Sequence, residues 1–315
     1  MKQYFIKPEK VIARLRTDLE YLSQAEHPFG SKRQKKVSEW MMKKLKQNHV
    51  FLAQHIFTAE VPIRPVNPSL QPMNKPFKKI IGYNVLGKVK GNLPCTIMLG
   101  SHYDTKILPN HPYLGANDSG SSSAALFEII RFFLDHVIKK DKLLLCDLIF
   151  VWFDGEESVL DDWHAGEKLY GKRDNTYGSR ALAGELQKNK DGNFVLPANM
   201  DSNSESIRGV IILDMIGSPN MTITHELNSD LKLRQLMLRG AKILKLDHRI
   251  SKDKMTIEDD HLAFKKLGIP VINLIDFTNR QHWHKPSDTQ DKIDYHSIID
   301  AIKLSIYLVL ALSHQ

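Results

Sequence analysis

The feature that most constrains this chain is a pair of apolar runs, Cys95 to Gly100 and Leu143 to Phe153, separated by a polar loop and a stretch, Ser121 to His136, with apolar positions at helical spacing. A near-continuous apolar strand has no polar face to give to water, so it must be covered on both sides. Strand, helix, strand in this order is the grammar of a parallel sheet, with each crossover helix packed on one of its faces. Val210 to Asp214 and Pro270 to Ile275 repeat the short apolar run that ends near a polar residue, and Ile298 to Leu312 reads as a closing amphipathic helix. The expected fold is therefore α/β, with a mostly parallel, mixed central sheet flanked by helices.

Before this core, residues 9–24 and 32–48 carry apolar positions at intervals of three and four, and Ser31 is placed to cap the second helix. Phe51 to Val61 and Ile80 to Val89 read as strands, separated by a loop rich in proline (Pro62, Pro65, Pro68, Pro72, Pro76) that cannot continue a ladder. No repeat or low-complexity tract divides the 315 residues, so residues 1–315 are read as one catalytic domain. The longest apolar runs noted fall short of the roughly 20 residues that cross a bilayer, and residues 1–20 lack the apolar core of a secretory signal. The expected setting is cytoplasmic, or periplasmic or secreted if a leader has been removed, with no membrane role and a monomeric state. Cys95 and Cys146 sit inside apolar runs and are read as buried free thiols. The net charge of +8 is partly concentrated in Lys32 to Lys46, where it alternates with apolar residues as a solvated helix face does. No reader motif or aromatic platform accompanies it, so no nucleic-acid partner is expected.

Open α/β sheets bind ligands beyond the carboxyl ends of their strands. Four such ends here carry polar residues: His102-Tyr103-Asp104, Asp154-Gly155-Glu156-Glu157, Asp214, and the loop with Trp283-His284. Histidine nitrogen and carboxylate oxygen are zinc donors, and a catalytic zinc keeps one position open. The chain has no HExxH helix, so such a metal must be assembled from distant residues. It also has neither a GxSxG elbow nor a GxxxxGK[ST] loop, which sets aside serine nucleophiles and phosphate cradles.

The segments SHYDT (101–105), GANDSGSSSA (115–124), FDGEES (153–158), YGSRALA (177–183), LDMIGSPN (213–220), EDDHLAF (258–264) and HWHKPSD (282–288) together resemble the zinc aminopeptidase superfamily. Within it they are most similar to the animal-type glutaminyl cyclases. The resemblance implies a zinc aminopeptidase-like fold and one zinc ion held by Asp118, Glu157 and His284. It further implies that Glu156 shuttles protons and that Asp259 and Asp214 complete an acid network. The implied reaction closes the N-terminal glutamine of a peptide or protein to pyroglutamate and releases ammonia. Trp283 and Trp163 would form the aromatic walls around the glutaminyl side chain. The alternative within the same fold is a two-zinc aminopeptidase, in which His102 and Asp214 hold a second ion, Asp118 bridges and Glu156 activates water. A catalytically silent relative would be expected to have lost a ligand, and Asp118, Glu157 and His284 are all present. Three departures from the cyclase pattern stand out: Ser101 and Ser123 occupy positions of a disulfide in the secreted animal enzymes, Asn279 replaces a pocket phenylalanine with Phe277 nearby, and His164 to Thr176 resembles an insertion.

Overall fold

A computed structural model describes residues 8–64, 77–136, 145–188, 194–195 and 206–314. In chain order, two helices, α1 (Pro8–Leu22) and α2 (Lys32–Gln47), precede the strands β1 (Phe51–Pro62), β2 (Phe77–Val89) and β3 (Cys95–His102). Helix α3 (Ser122–His136) leads to β4 (Asp147–Phe153), then to α4 (Ala165–Tyr170), α5 (Tyr177–Glu185), and the short β5 (Gln187–Lys188) and β6 (Phe194–Val195). The remainder comprises β7 (Ser206–Asp214), β8 (Ile223–Glu226), α6 (Leu231–Leu244), β9 (Ile250–Met255), α7 (His261–Lys265), β10 (Val271–Ile275) and α8 (Tyr295–Ser313). Ser31 caps α2 as expected, its Oγ accepting from Gln34 N at 3.0 Å.

The central sheet has the order β1-β2-β4-β3-β7-β10. Strands β4, β3, β7 and β10 run parallel, whereas β2 pairs antiparallel with both β1 and β4, so the sheet is mixed and mostly parallel. Its side chains alternate between two cores. Ile97, Leu99, Leu148, Phe150, Trp152, Ile211, Leu213 and Leu274 join α1, α2, α3, α6 and α8 in one. Met98, Ile149, Val151, Phe153, Val210, Ile212 and Val271 face Leu182 and Ala183 of α5 and Ala263 and Phe264 of α7 in the other. Two covered faces explain why these strands lack polar alternation. Among the described residues one helix, α8, is long and apolar enough to cross a membrane, but 72% of its apolar window is buried and it packs against α3, α6, β3 and β7.

Two expectations need correction or trimming. Pro65, Pro68, Pro72 and Pro76, together with Leu143 and Leu144, lie outside the described residues. Cys95 and Cys146 are not free thiols: they form a disulfide, with Cα atoms 4.7 Å apart. The reason is register. Thr96 pairs with Asp147 across β3 and β4, so the preceding residues, both fully buried, meet at the entry ends of adjacent strands. No spacing within either run reveals that neighbourhood.

The bond closes a loop of 51 residues, for which the chain-entropy model gives a stabilisation of about 4 kcal/mol. Thiol titration of the unfolded protein should find no free thiol without reductant and two with it, and Cys95→Ala/Cys146→Ala should lose stability of that order in urea unfolding. Two titratable thiols in unreduced protein would contradict the pairing.

Candidate metal centre

The register of the sheet delivers the site. His102 pairs with Phe153, so β3 and β4 end level, and Tyr103 N donates to Phe153 O at 3.0 Å. Beyond this edge, the buried Asp104 accepts from Glu156 N at 2.9 Å and Glu157 N at 3.2 Å. One carboxylate thereby turns the acidic pair after β4 into the molecule rather than out to solvent. Asp118 lies in a π turn, Ala116–Ser121, that precedes α3 and contains a cis peptide between Asp118 and Ser119. Gly115 opens this turn with φ +58°, and a Cβ there would lie 2.4 Å from Asp118 O, so only glycine fits. Asp214 ends β7, while His284, at φ +51°, sits in the loop after β10.

These elements bring two groups of ligating atoms together, each within 4.8 Å: Asp118, Glu157 and His284; and His102, Asp118 and Asp214. His284 Nε2 is 3.0 Å from Glu157 Oε1 and 3.4 Å from Asp118 Oδ2. His102 Nε2 is 3.0 Å from Asp118 Oδ1, 3.5 Å from Asp214 Oδ1 and 3.9 Å from Glu156 Oε2. Asp118 is therefore shared by both groups.

The electrostatics follow from concentrating acids out of water. Burial would lower His284, but Glu157 and Asp118 raise it to about 10. Burial likewise opposes the charged form of His102, yet Glu156, Asp104, Asp118 and Asp214 push it well above the usual range. Asp118 would be raised by burial but is held below the carboxylate range by hydrogen bonds and charge from His102 and His284. Asp214 rises to about 7, mainly through burial, and Glu156 rises well above an ordinary glutamate through burial and the nearby charges of Glu157, Asp259 and Asp260. A cluster of this kind calls for positive charge.

The donor set fits a zinc ion. Two carboxylates and an imidazole converge, and Glu157 Oε2 is buried without a hydrogen-bond partner. Asp214 Oδ1 is similarly orphaned in the second group. Buried polar atoms are normally satisfied, and carboxylates left short of hydrogen bonds beside converging ligands suit a site that a cation would complete.

Asp118 is further held by residues that the sequence reading did not single out. Tyr113 Oη donates to Asp118 Oδ2 at 2.9 Å, and Asp288 Oδ2 accepts from Asp118 N at 3.1 Å. Asp288 Oδ1 also accepts from Asn117 N at 2.8 Å. Tyr113 and Asp288 stand 175 positions apart, so no local pattern points to the pair. Asp104 is already visible in the sequence as a polar strand-end residue, but its role in holding Glu156 N and Glu157 N comes from the structure.

The site opens into a cavity of about 340 Å³ lined by Asp118, Glu156, Glu157, Asp214, Asp259 and His284, with Trp163, Phe277 and Trp283 as aromatic walls. Trp283 stacks on His284 with ring centroids 4.1 Å apart and meets Phe277 edge-on at 5.3 Å. Asn279 points away from this cavity, its Nδ2 donating to Pro219 O at 2.9 Å. Asp259 accepts from Asn273 Nδ2 at 2.6 Å. Lys106, 3% exposed, also lines the cavity, with Nζ 3.8 Å from Glu157 Oε2.

A sheet buried on both faces, with acids and imidazoles gathered at its carboxyl edge, defines an α/β fold with a candidate metal centre where such folds hold their active sites. Residues 84–309 match the model of peptidase family M28, a zinc-dependent family, and the chain belongs to that family. A glutaminyl-peptide cyclotransferase of Drosophila melanogaster is 25% identical over 239 residues, which cover 69% of this chain and 61% of that protein. A Bos taurus glutaminyl-peptide cyclotransferase is 28% identical over 254 residues, covering 73% and 66% respectively. The chain thus spans about three fifths of the length of the Drosophila relative. Among solved structures, an Acidobacteriales bacterium glutaminyl cyclase superposes with a TM-score of 0.75 at 24% identity, over 96% of this chain and 94% of that one. A Bacteroides thetaiotaomicron leucine aminopeptidase precursor superposes with a TM-score of 0.71 at 18% identity, over 95% and 96%.

Outer partners of a metal ligand typically contribute 10–100-fold in affinity. Asp288→Ala should therefore weaken zinc binding by about that factor in chelator competition, with the far-ultraviolet circular dichroism retained. Unchanged zinc affinity would remove Asp288 from the support of Asp118.

Proposed function

We propose that this chain is a glutaminyl-peptide cyclotransferase acting on peptides or proteins with N-terminal glutamine. The observation that carries this reading is the cavity. It is small, it is walled by Trp163, Phe277 and Trp283, and it places Glu156 beside the group Asp118, Glu157 and His284. Such a space suits a short side chain folded back towards its own amine. The names of the relatives that align with most of the chain support the same conclusion.

In this reading, Asp118, Glu157 and His284 hold one zinc ion, whose charge their two carboxylates formally balance. Bound there, zinc supplies the Lewis acidity that polarises the side-chain amide carbonyl. The aromatic walls hold the glutaminyl chain in the conformer that brings the α-amine to the amide carbon, and because ring closure is intramolecular, this positioning supplies much of the rate. The amine nitrogen forms a bond to the amide carbon, Glu156 takes the proton released from that nitrogen, and Glu156 returns it to the amide nitrogen as the carbon–nitrogen bond breaks. Ammonia and a five-membered lactam result. A glutamate whose carboxyl is pushed up by burial is suited to both halves of that transfer. Asp259, fixed by Asn273, and Asp214, beside His102, belong to the surrounding acid network.

A second reading rests on the second ligand group. His102, Asp118 and Asp214 also converge, which is what a two-zinc aminopeptidase requires, with Asp118 bridging and Glu156 activating water. We favour the single-zinc cyclase because Trp283 lies directly on His284 in the cavity wall beside the metal group.

The whole chain, 1–315, is taken as one catalytic unit working as a monomer. The buried disulfide favours folding in an oxidising compartment, outside the cytoplasm expected from the first residues.

General acid–base groups of this type contribute about 10² to 10⁴ in rate. Glu156→Gln should lower kcat for ammonia release from a Gln-initiated peptide by that factor while retaining the zinc content of the parent. Undiminished turnover would exclude Glu156 as the proton shuttle.

A further inference from the structure

The stretch after Trp163, which the sequence reads as an insertion, is tied back onto the catalytic strand end. Thr176 N donates to Glu156 O at 2.8 Å and Tyr177 N to Gly155 O at 2.7 Å. Within it, Asp174, 1% exposed, accepts from Leu160 N at 2.7 Å and from Tyr177 Oη at 2.8 Å, while Asn175 Nδ2 donates to Trp163 O at 3.1 Å. The short helix α4 lies directly on this hub, for a Cβ at Gly166 would come within 2.5 Å of Asp174 Cβ. Residues 164–176 therefore form an anchored strap.

The strap carries Arg173, whose Nη2 donates to Glu258 Oε2 at 3.1 Å and whose Nε donates to Glu167 Oε1 at 3.1 Å. Glu258 Oε2 also accepts from Trp163 Nε1 at 3.3 Å. Glu258 belongs to another wall of the cavity, the connection from β9 to α7 next to Asp259. One carboxylate oxygen thus joins the strap, the indole and the far wall. The side chains of Arg173 and Glu258 are 24% and 35% exposed, so the pair adds little to global stability. Its effect is local, because an indole has only two side-chain torsions to fix. Asp161, also on the cavity lining, has its own arginine, Arg64, at 2.9 Å.

We infer that Arg173 and Glu258 are specificity-determining positioning residues. Their bridge holds the Trp163 indole as a fixed wall of the substrate cavity and keeps the Glu258 carboxylate from engaging the residue that follows the N-terminal glutamine. This inference rests on the cyclase reading for its substrate. It assigns the insertion to substrate fit rather than to chemistry.

The test is Arg173→Ala, assayed with Gln-Ala and Gln-Lys peptides. An ion pair this exposed corresponds to at most about a fivefold change, so KM for the Gln-Ala peptide should rise by up to about fivefold with kcat retained. The ratio of kcat/KM for Gln-Lys over Gln-Ala should also increase, and Arg173→Lys should restore part of both effects. Acrylamide quenching of tryptophan emission should increase in Arg173→Ala and show no increase in a Trp163→Phe background. Unchanged KM and quenching would overturn the inference, as would a fall in kcat that accompanies a fall in melting temperature. If the parent enzyme releases no ammonia, the cyclase reading fails by itself, and the quenching comparison still decides whether the Arg173–Glu258 bridge holds the indole.

Discussion

The interaction on which the structure depends is the repulsion among carboxylates brought together away from water. Asp104, Asp118, Glu156, Glu157, Asp214 and Asp259 all lie at one edge of the sheet and all are buried. Left to themselves, such groups would take up protons or separate. The fold answers with directed donors: backbone N–H groups on Asp104 and Asp288, the Tyr113 hydroxyl on Asp118, an amide on Asp259, and two imidazoles between the remaining acids. The convergence of Asp118 with Glu157 and His284, and with His102 and Asp214, is where a cation would add the remaining positive charge.

That arrangement survives because its frame is stiff. The strands that deliver His102, Glu156, Glu157 and Asp214 are covered on both faces, and close-packed cores leave them little room to relax apart. The disulfide ties β3 to the start of β4 at the opposite end of the same strands, so the level at which both chains reach the site is fixed from below. By contrast, Trp163 and Glu258 in the cavity wall come from loops away from the metal ligands, where residues can vary without disturbing them. The division matches the chemistry, which needs fixed ligands and a substrate fit that can be adjusted.

How much of this is legible in the sequence depends on whether a feature is written locally. The strands β3, β4, β7 and β10 announce themselves because burial on two faces leaves continuous apolar runs, and α2 does so through Ser31 and its helical spacing. The short β8 and β9, and helices α4, α5 and α7, carry no comparably distinct signal and emerge only with the structure, whereas α6 has helical spacing and an Asp230 cap that the sequence already carries. The ligand candidates Asp118, Glu157 and His284 are each unremarkable alone, since acids and turn residues at strand ends are common, and only the resemblance across seven segments groups them. Tyr113 and Asp288 escape because their roles depend on contact across the whole domain. The cysteine pair is misread for the same kind of reason: each residue looks like core, and only the register of two strands makes them neighbours.

The balance between cyclase and aminopeptidase turns on what attacks the substrate, its own amine or water, since both readings use the same acids and the same fold. The direct measurement is to incubate the purified, zinc-loaded protein with a Gln-initiated peptide and, separately, with a Leu-initiated peptide, following ammonia, the pyroglutamyl product and free leucine. Ammonia with a pyroglutamyl peptide and no free leucine is the result this account predicts. Free leucine without ammonia would contradict it and assign the site to hydrolysis.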